Sequence, residues 1–120
     1  MLNLLKVDFQ HIDDRGELVQ LVHAGYEQIN VLKSKKGVIR GGHYHKKVQE
    51  AFYVVYGAVI VKSKINGHED EWTFKEGDFF CVPPFVVHSM EFPENCLMVQ
   101  MYSKCVDEGN GKMDIFKEGE

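Results

Sequence analysis

The sequence predicts an all-β domain, and three observations carry that expectation. No stretch sustains apolar residues at the three-to-four spacing of a helix, β-branched and aromatic runs recur along most of the chain, and turn residues bound those runs at short intervals. The 120 residues fit a single domain spanning 1–120. A composition of 44% hydrophobic and 27% charged residues is ordinary for a globular chain, which at this length buries roughly two-thirds of its unfolded surface.

Strands are predicted near Leu18–Val22, Glu27–Leu32, Gly37–His43, Glu50–Tyr56, Ala58–Ile65, Asp70–Phe74, Phe79–Val82 and Leu97–Tyr102. The first two are apolar runs broken by single polar residues, and the basic stretch Lys33-Ser34-Lys35-Lys36 reads as the exposed turn that follows them. Gly37 opens the third strand. Gly57 separates the fourth from the fifth, which ends at Asn66-Gly67, a pair suited to the positive φ angles of a two-residue type I′ hairpin. The sixth is its return strand. Gly77, within Lys75-Glu76-Gly77-Asp78, precedes the seventh, and Pro83-Pro84 stops it, because proline cannot donate to a ladder. The last strand leads to a polar tail from about residue 106, where only Met113, Ile115 and Phe116 offer anchors and partial order is expected.

A net charge of −4 argues against a nucleic-acid partner, which would need a clustered basic face. Cys81, Cys96 and Cys105 are odd in number and lack metal-knuckle spacing, so reduced thiols in a cytoplasmic protein are expected. The apolar N-terminal stretch is too short for a secretory signal, and no run approaches the ~20 residues of a membrane helix.

The chemistry concentrates in Gly37-Val-Ile-Arg-Gly-Gly-His43-Tyr-His45-Lys-Lys-Val-Gln-Glu50. Histidines two apart on a strand project to one face, and Glu50 follows at or near the next strand. Two imidazoles and a carboxylate, with His88 as a fourth donor, make a mixed set suited to a divalent transition metal such as Zn, Ni, Mn, Fe or Co. His11, His23 and His68 lack such companions and fall outside the site.

These residues resemble the cupin superfamily. Its first motif is met at Gly37, His43, His45, Glu50 and Gly57; its second is met at Gly77, Pro83 and His88 and broken at Phe85 and Phe92. The resemblance implies a jelly-roll barrel, a double-stranded β-helix. Asp13-Asp14-Arg15-Gly16 and Ser34 to Tyr44 are further similar to the dTDP-4-dehydrorhamnose 3,5-epimerases and dTDP-4-oxo-6-deoxyglucose 3,4-ketoisomerases. That likeness implies that Arg15 and Arg40 hold a nucleotide diphosphate and that His43 and His45 are catalytic, with His43 the proton-abstracting base. The cupin portion of capsule enzymes that make N-acetylfucosamine nucleotides carries a metal set like His43, His45, Glu50 and His88. Two departures stand out. Cys105 or Val106 occupies the place of the epimerases' active-site tyrosine, with Tyr102 nearby on an unassigned face, and Glu50 stands where the ketoisomerases usually have glutamine.

The expected substrate is therefore a nucleotide-linked 4-keto-6-deoxysugar in polysaccharide precursor synthesis, handled by a homodimer with no nucleic-acid or membrane partner. A proton beside a ketone needs a base poised near neutrality and a group that stabilises the enolate. His43 cannot be metal ligand and free base at once, and both roles remain open at this point. So do two other readings, a metal-loaded cupin that binds a small molecule and an oxygenase using two histidines and a carboxylate.

Overall fold

The computed structural model describes residues 2–120, and among these every regular element is a β-strand. In chain order they are β1 (Asn3–Leu4), β2 (Phe9–Asp13), β3 (Gly16–Gln20), β4 (Gln28–Ser34), β5 (Ile39–Tyr44), β6 (Glu50–Tyr56), β7 (Ala58–Ile65), β8 (His68–Lys75), β9 (Phe79–Val82), β10 (Val87–Glu91), β11 (Cys96–Tyr102), β12 (Asp107–Gly109), β13 (Lys112–Met113) and β14 (Phe116–Lys117). Two five-stranded sheets, ordered β1-β9-β6-β11-β4 and β14-β5-β10-β7-β8, form the body. Strands β4, β5 and β6 alternate between the sheets, as do β8, β9, β10 and β11, so the chain repeatedly crosses from one layer to the other, as in a jelly roll. Strands β2 and β3 pair only with each other, as a separate hairpin.

All eight predicted strands are present. At the predicted reversal, Asn66 and Gly67 both take positive φ (51° and 78°), as a type I′ turn requires.

Alternation places Phe52, Val54, Phe80, Val82 and Met98 of the first sheet against Val59, Val61, Phe74 and Met90 of the second. Phe80 lies between Phe52 and Phe74, with ring centroids 5.3 and 3.9 Å away. Each such side chain contributes about 1.5–3 kcal/mol on burial. The same inward rows turn polar at one end: Glu50 precedes Phe52 and Val54 on β6, and His88 precedes Met90 on β10.

The tail departs from expectation. Val106 packs with Val48 and Tyr102, β14 pairs with β5, and Asp114 is buried. Composition under-reads this segment because its main anchor is a carboxylate that takes backbone hydrogen bonds, not an apolar side chain. Among the described residues, no helix is long and apolar enough to cross a membrane.

Candidate functional site

The β5–β10 ladder sets His43 opposite His88, and the β6–β11 ladder sets Glu50 opposite Tyr102. His45 lies just past the end of β5, on the same side as His43, as the two-residue spacing predicts. The ladder is irregular between His88 and Ser89, where the strands come close; a Cβ on Gly41 would sit 2.7 Å from the His88 carbonyl oxygen. Only glycine fits there, and its φ of +95° lies in the left-handed region.

The ring of His43 lies 5.1 Å from that of His45 and 4.8 Å from that of His88, centroid to centroid. One donor atom from each of His43, His45, Glu50 and His88 falls within 4.8 Å of the others. His45, Glu50 and His88 are fully buried, whereas His43 is partly open.

Hydrogen bonds fix which ring nitrogens face inward. His45 Nδ1–H donates to the Asp114 carbonyl at 2.6 Å, and His88 Nδ1–H donates to the Val86 carbonyl at 3.0 Å. Both Nε2 atoms consequently point at Glu50 Oε1, at 3.1 Å from His45 and 3.0 Å from His88. Glu50 Oε2 accepts from the Gln100 side-chain amide at 2.6 Å.

Burial pushes the Glu50 carboxyl upward, but the neighbouring imidazoles outweigh it and hold Glu50 well below the usual carboxylate range. For His45, burial opposes charging, yet the hydrogen bonds to Glu50 and Asp114 raise it above the ordinary histidine value. His43 behaves oppositely: burial and the adjacent His88 lower it to about 4. His43 is therefore unprotonated at neutral pH.

The donor set fits a transition metal. A neutral imidazole with its proton on Nδ1 offers a lone pair at Nε2, and such a lone pair beside a carboxylate oxygen is repulsive unless a cation lies between them. His88 Nε2 is buried and, although near Glu50, makes no hydrogen bond of acceptable geometry. Two imidazoles locked by outward N–H donation, with a hydrogen-bonded carboxylate, are the arrangement that orients first-row metal ligands.

The other expected residues lie elsewhere. Arg15 sits in the β2–β3 turn, its guanidinium held by Asp13 at 2.6 Å. Arg40, three residues before His43 on β5, donates to Ser34 Oγ at 2.9 Å and to the Lys33 carbonyl at 3.1 Å. Neither hydrogen-bonds to the histidine cluster. His11 and His23 lie at the surface, paired with Asp13 and Asp8, and His68 is exposed.

Three residues of the site were not expected there. Tyr102 faces inward, its ring edge-on to His45 at 5.6 Å, and burial followed by the Glu50 charge pushes its hydroxyl far above the usual tyrosine value. Gln100 caps Glu50, and Asp114 reaches the site from the tail. The inward period of β11 carried the signal for Tyr102; a single buried carboxylate in a polar tail left none. Phe85, which replaces a motif glycine, does take positive φ (70°) and stacks on Tyr44 beside a groove of 510 Å³ whose lining includes no member of the cluster.

Residues 11–108 match the family described as the polysaccharide biosynthesis C-terminal domain. The fold is similar to that of the sugar 3,4-ketoisomerase QdtA from Thermoanaerobacterium thermosaccharolyticum, solved with TDP (TM-score 0.83, 20% identity, covering 98% of this chain and 88% of that one). It is also similar to the capsular polysaccharide assembling protein CapF of Staphylococcus aureus (0.69, 21%, 95% and 32%). A third likeness is to dTDP-4-dehydrorhamnose 3,5-epimerase from Sulfolobus tokodaii (0.65, 18%, 78% and 65%). In sequence, 64 residues are 33% identical to 3-hydroxyanthranilate 3,4-dioxygenase of Burkholderia cenocepacia, covering 51% of this chain and 36% of that enzyme. The chain thus spans about a third of that dioxygenase. The neighbours share the all-β fold of this chain, in keeping with the jelly roll expected from the two motifs.

Proposed function

Because the chain belongs to the polysaccharide biosynthesis C-terminal domain family, we propose that it is an isomerase or epimerase of a nucleotide-linked 4-keto-6-deoxysugar. The observation that carries this reading is the division within the cluster: three buried groups behind one partly open, unprotonated imidazole, His43. The solved neighbours support the substrate class, since QdtA has been captured with TDP-4-keto-6-deoxyglucose.

In this reading His43 takes the proton from the carbon beside the ketone. The electron pair left behind delocalises onto the carbonyl oxygen, giving an enolate. The ketone moves when the hydroxyl proton on the deprotonated carbon passes to the former carbonyl oxygen and a proton returns to the former carbonyl carbon; return to the original carbon from the other face inverts it instead. Either product requires the same base and the same stabilised oxygen. The Tyr102 hydroxyl, held protonated, is the proton donor within the buried half; His45, raised toward the imidazolium form, can share that role only where no cation takes its Nε2. Arg15 and Arg40 are assigned to the diphosphate, which exposed guanidinium forks are suited to grip.

We assign a divalent transition metal to His45, Glu50 and His88, with His43 in reach as a fourth donor. When bound it supplies Lewis-acid polarisation of a carbonyl oxygen. The resemblance over 64 residues to a dioxygenase favours a second reading, oxygen chemistry at the same donors. Uptake of O₂ by the Fe²⁺-loaded protein would single it out.

A homodimer is assigned from the surface. The outer face of the first sheet is apolar and partly covered by Leu5, Val7, Leu21, Val22 and Tyr26, but edge strand β4 leaves Ile29 (62%) and Val31 (68%) exposed. The β2–β3 hairpin likewise exposes Phe9, Ile12 and Leu18. Apolar patches beside an open strand edge mark a contact surface. The cysteines are unpaired, in keeping with a reducing cytoplasm.

The deciding experiment is exchange of the sugar's acidic C–H with deuterated water, followed on TDP-4-keto-6-deoxyglucose by mass spectrometry. Wild-type protein is expected to wash in deuterium and His43→Asn to stop it. Absence of exchange and of binding across TDP- and UDP-linked 4-keto sugars overturns the proposal.

A further inference from the structure

Asp114 is a buried acidic residue, 3% exposed, in a segment that is otherwise polar and open. Its carboxylate accepts three backbone N–H groups, from Lys46 at 2.9 Å, Lys47 at 2.8 Å and Val48 at 3.0 Å. Those amides belong to the loop that joins His45 to Glu50. Its own carbonyl takes the Nδ1–H of His45 at 2.6 Å. One residue, 69 positions further along the chain, therefore fixes both the backbone path between two members of the cluster and the rotation of one imidazole. Neighbours hold it in turn: the Asp114 amide donates to the Val106 carbonyl, Phe116 stacks on Tyr44 at 5.6 Å, and Lys46 lies over Phe116 at 4.1 Å.

We propose that Asp114 is a positioning residue of the site, locking His45 with its proton on Nδ1 so that Nε2 faces Glu50. Without it the imidazole is free to rotate or to move its proton to Nε2, which would turn an N–H instead of a lone pair toward the place a cation would fill. The three loop amides would also lose their acceptor, and the His45–Glu50 spacing would no longer be held from outside. Val86 does the same for His88 through a local carbonyl two residues away. His45, beyond the end of β5, has no such local partner, so its acceptor comes from the tail. The proposal rests on the metal reading for one of its two readouts only.

The test uses the full-length, metal-free protein labelled with ¹⁵N. In wild type, the His45 Nδ1–H should appear in ¹H–¹⁵N spectra as a proton protected from exchange with water. Asp114→Ala keeps the backbone carbonyl but loses the carboxylate that seats it against the loop amides. The carbonyl should therefore shift, the signal should be lost, and Co²⁺ binding should weaken by about ten- to a hundredfold, the usual size of an outer-shell effect. Asp114→Asn, which keeps the shape and part of the acceptor capacity, decides the matter if the alanine variant fails to fold; a weakened Nδ1–H signal with intermediate Co²⁺ affinity is expected. Val61→Ala, a core change away from the site, should lower the unfolding temperature without moving the His45 signal. Retention of the signal in both Asp114 variants overturns the proposal, as does its equal loss in Val61→Ala. If wild type takes up no Co²⁺, the metal reading fails and the His45 signal alone decides.

Discussion

Glu50→Gln tests the electrostatic core of the site with almost no change of shape. Glu50 accepts from His45 Nε2 at 3.1 Å and from Gln100 Nε2 at 2.6 Å. Hydrogen bonds to a charged group contribute about 1.5–3 kcal/mol against about 0.5–1.5 kcal/mol for neutral pairs, so the amide forfeits about 1–1.5 kcal/mol at each contact. A cation takes the place of the His45 proton, so for metal binding only the charged-for-neutral exchange at its own contact counts, about 1–1.5 kcal/mol or roughly five- to twelvefold in affinity. That figure, taken from hydrogen bonds, is a lower bound for a metal losing a charged ligand. The fold should survive, because the amide oxygen can still accept from Gln100 while its NH₂ donates to a neutral imidazole, and relieving a buried charge offsets part of the change. Co²⁺ titration followed by visible absorption, beside urea unfolding, reads both quantities. A variant that stays folded and binds Co²⁺ within threefold of wild type would refute the assignment of Glu50.

Arg40→Ala should weaken TDP binding, measured calorimetrically, by roughly ten- to a hundredfold while sparing metal uptake, the size of one charge-assisted contact. Gly41→Ala should destabilise the barrel, since its Cβ would meet the His88 carbonyl at 2.7 Å, and should lower metal affinity further by moving His88; unchanged urea midpoint and affinity would contradict that packing. Val31→Lys is expected to shift the mass in light scattering from dimer toward monomer with the fold intact, and a monomeric wild type would remove the dimer assignment. For pH, His43 is competent when unprotonated and its value is lowered to about 4. The acid limb of kcat/KM should therefore lie near pH 4, with activity retained at pH 5–6; a limb at the ordinary histidine value of about 6.5 would show that His43 is not the base.

Legibility in the sequence followed the chemistry of each segment. Runs such as Glu50–Tyr56 and Ala58–Ile65 announce themselves because their inward positions are apolar, and Asn66-Gly67 because few residue pairs accept two positive φ angles. Strand β10 escaped because an inward position is His88, so its alternation reads as polar where the barrel interior becomes the site. Strand β2 escaped for a different reason: all but one of its residues are exposed, and no buried face imposes a pattern. The His-x-His pair was legible from strand geometry alone, whereas Asp114 was not, because a carboxylate that satisfies backbone amides leaves no periodic trace.

The two roles weighed for His43 separate once burial is considered. A metal ligand gains from being fixed and dry, and His45, Glu50 and His88 have that character, each with a hydrogen-bonding partner that holds its orientation. A base must reach substrate with a free lone pair, and His43 is the member of the cluster that is partly open and without a hydrogen bond to hold its ring among the described residues. The features that make the buried half a good cation site also serve His43: partial burial first, and the adjacent His88 second, keep it unprotonated at neutral pH. The metal set and the base are thus coupled through His88, and replacing His88 by a neutral residue of similar size, such as glutamine, should raise the acid limb of kcat/KM toward the ordinary histidine value as well as remove a ligand. An acid limb left near pH 4 in His88→Gln would show that burial alone sets the character of His43.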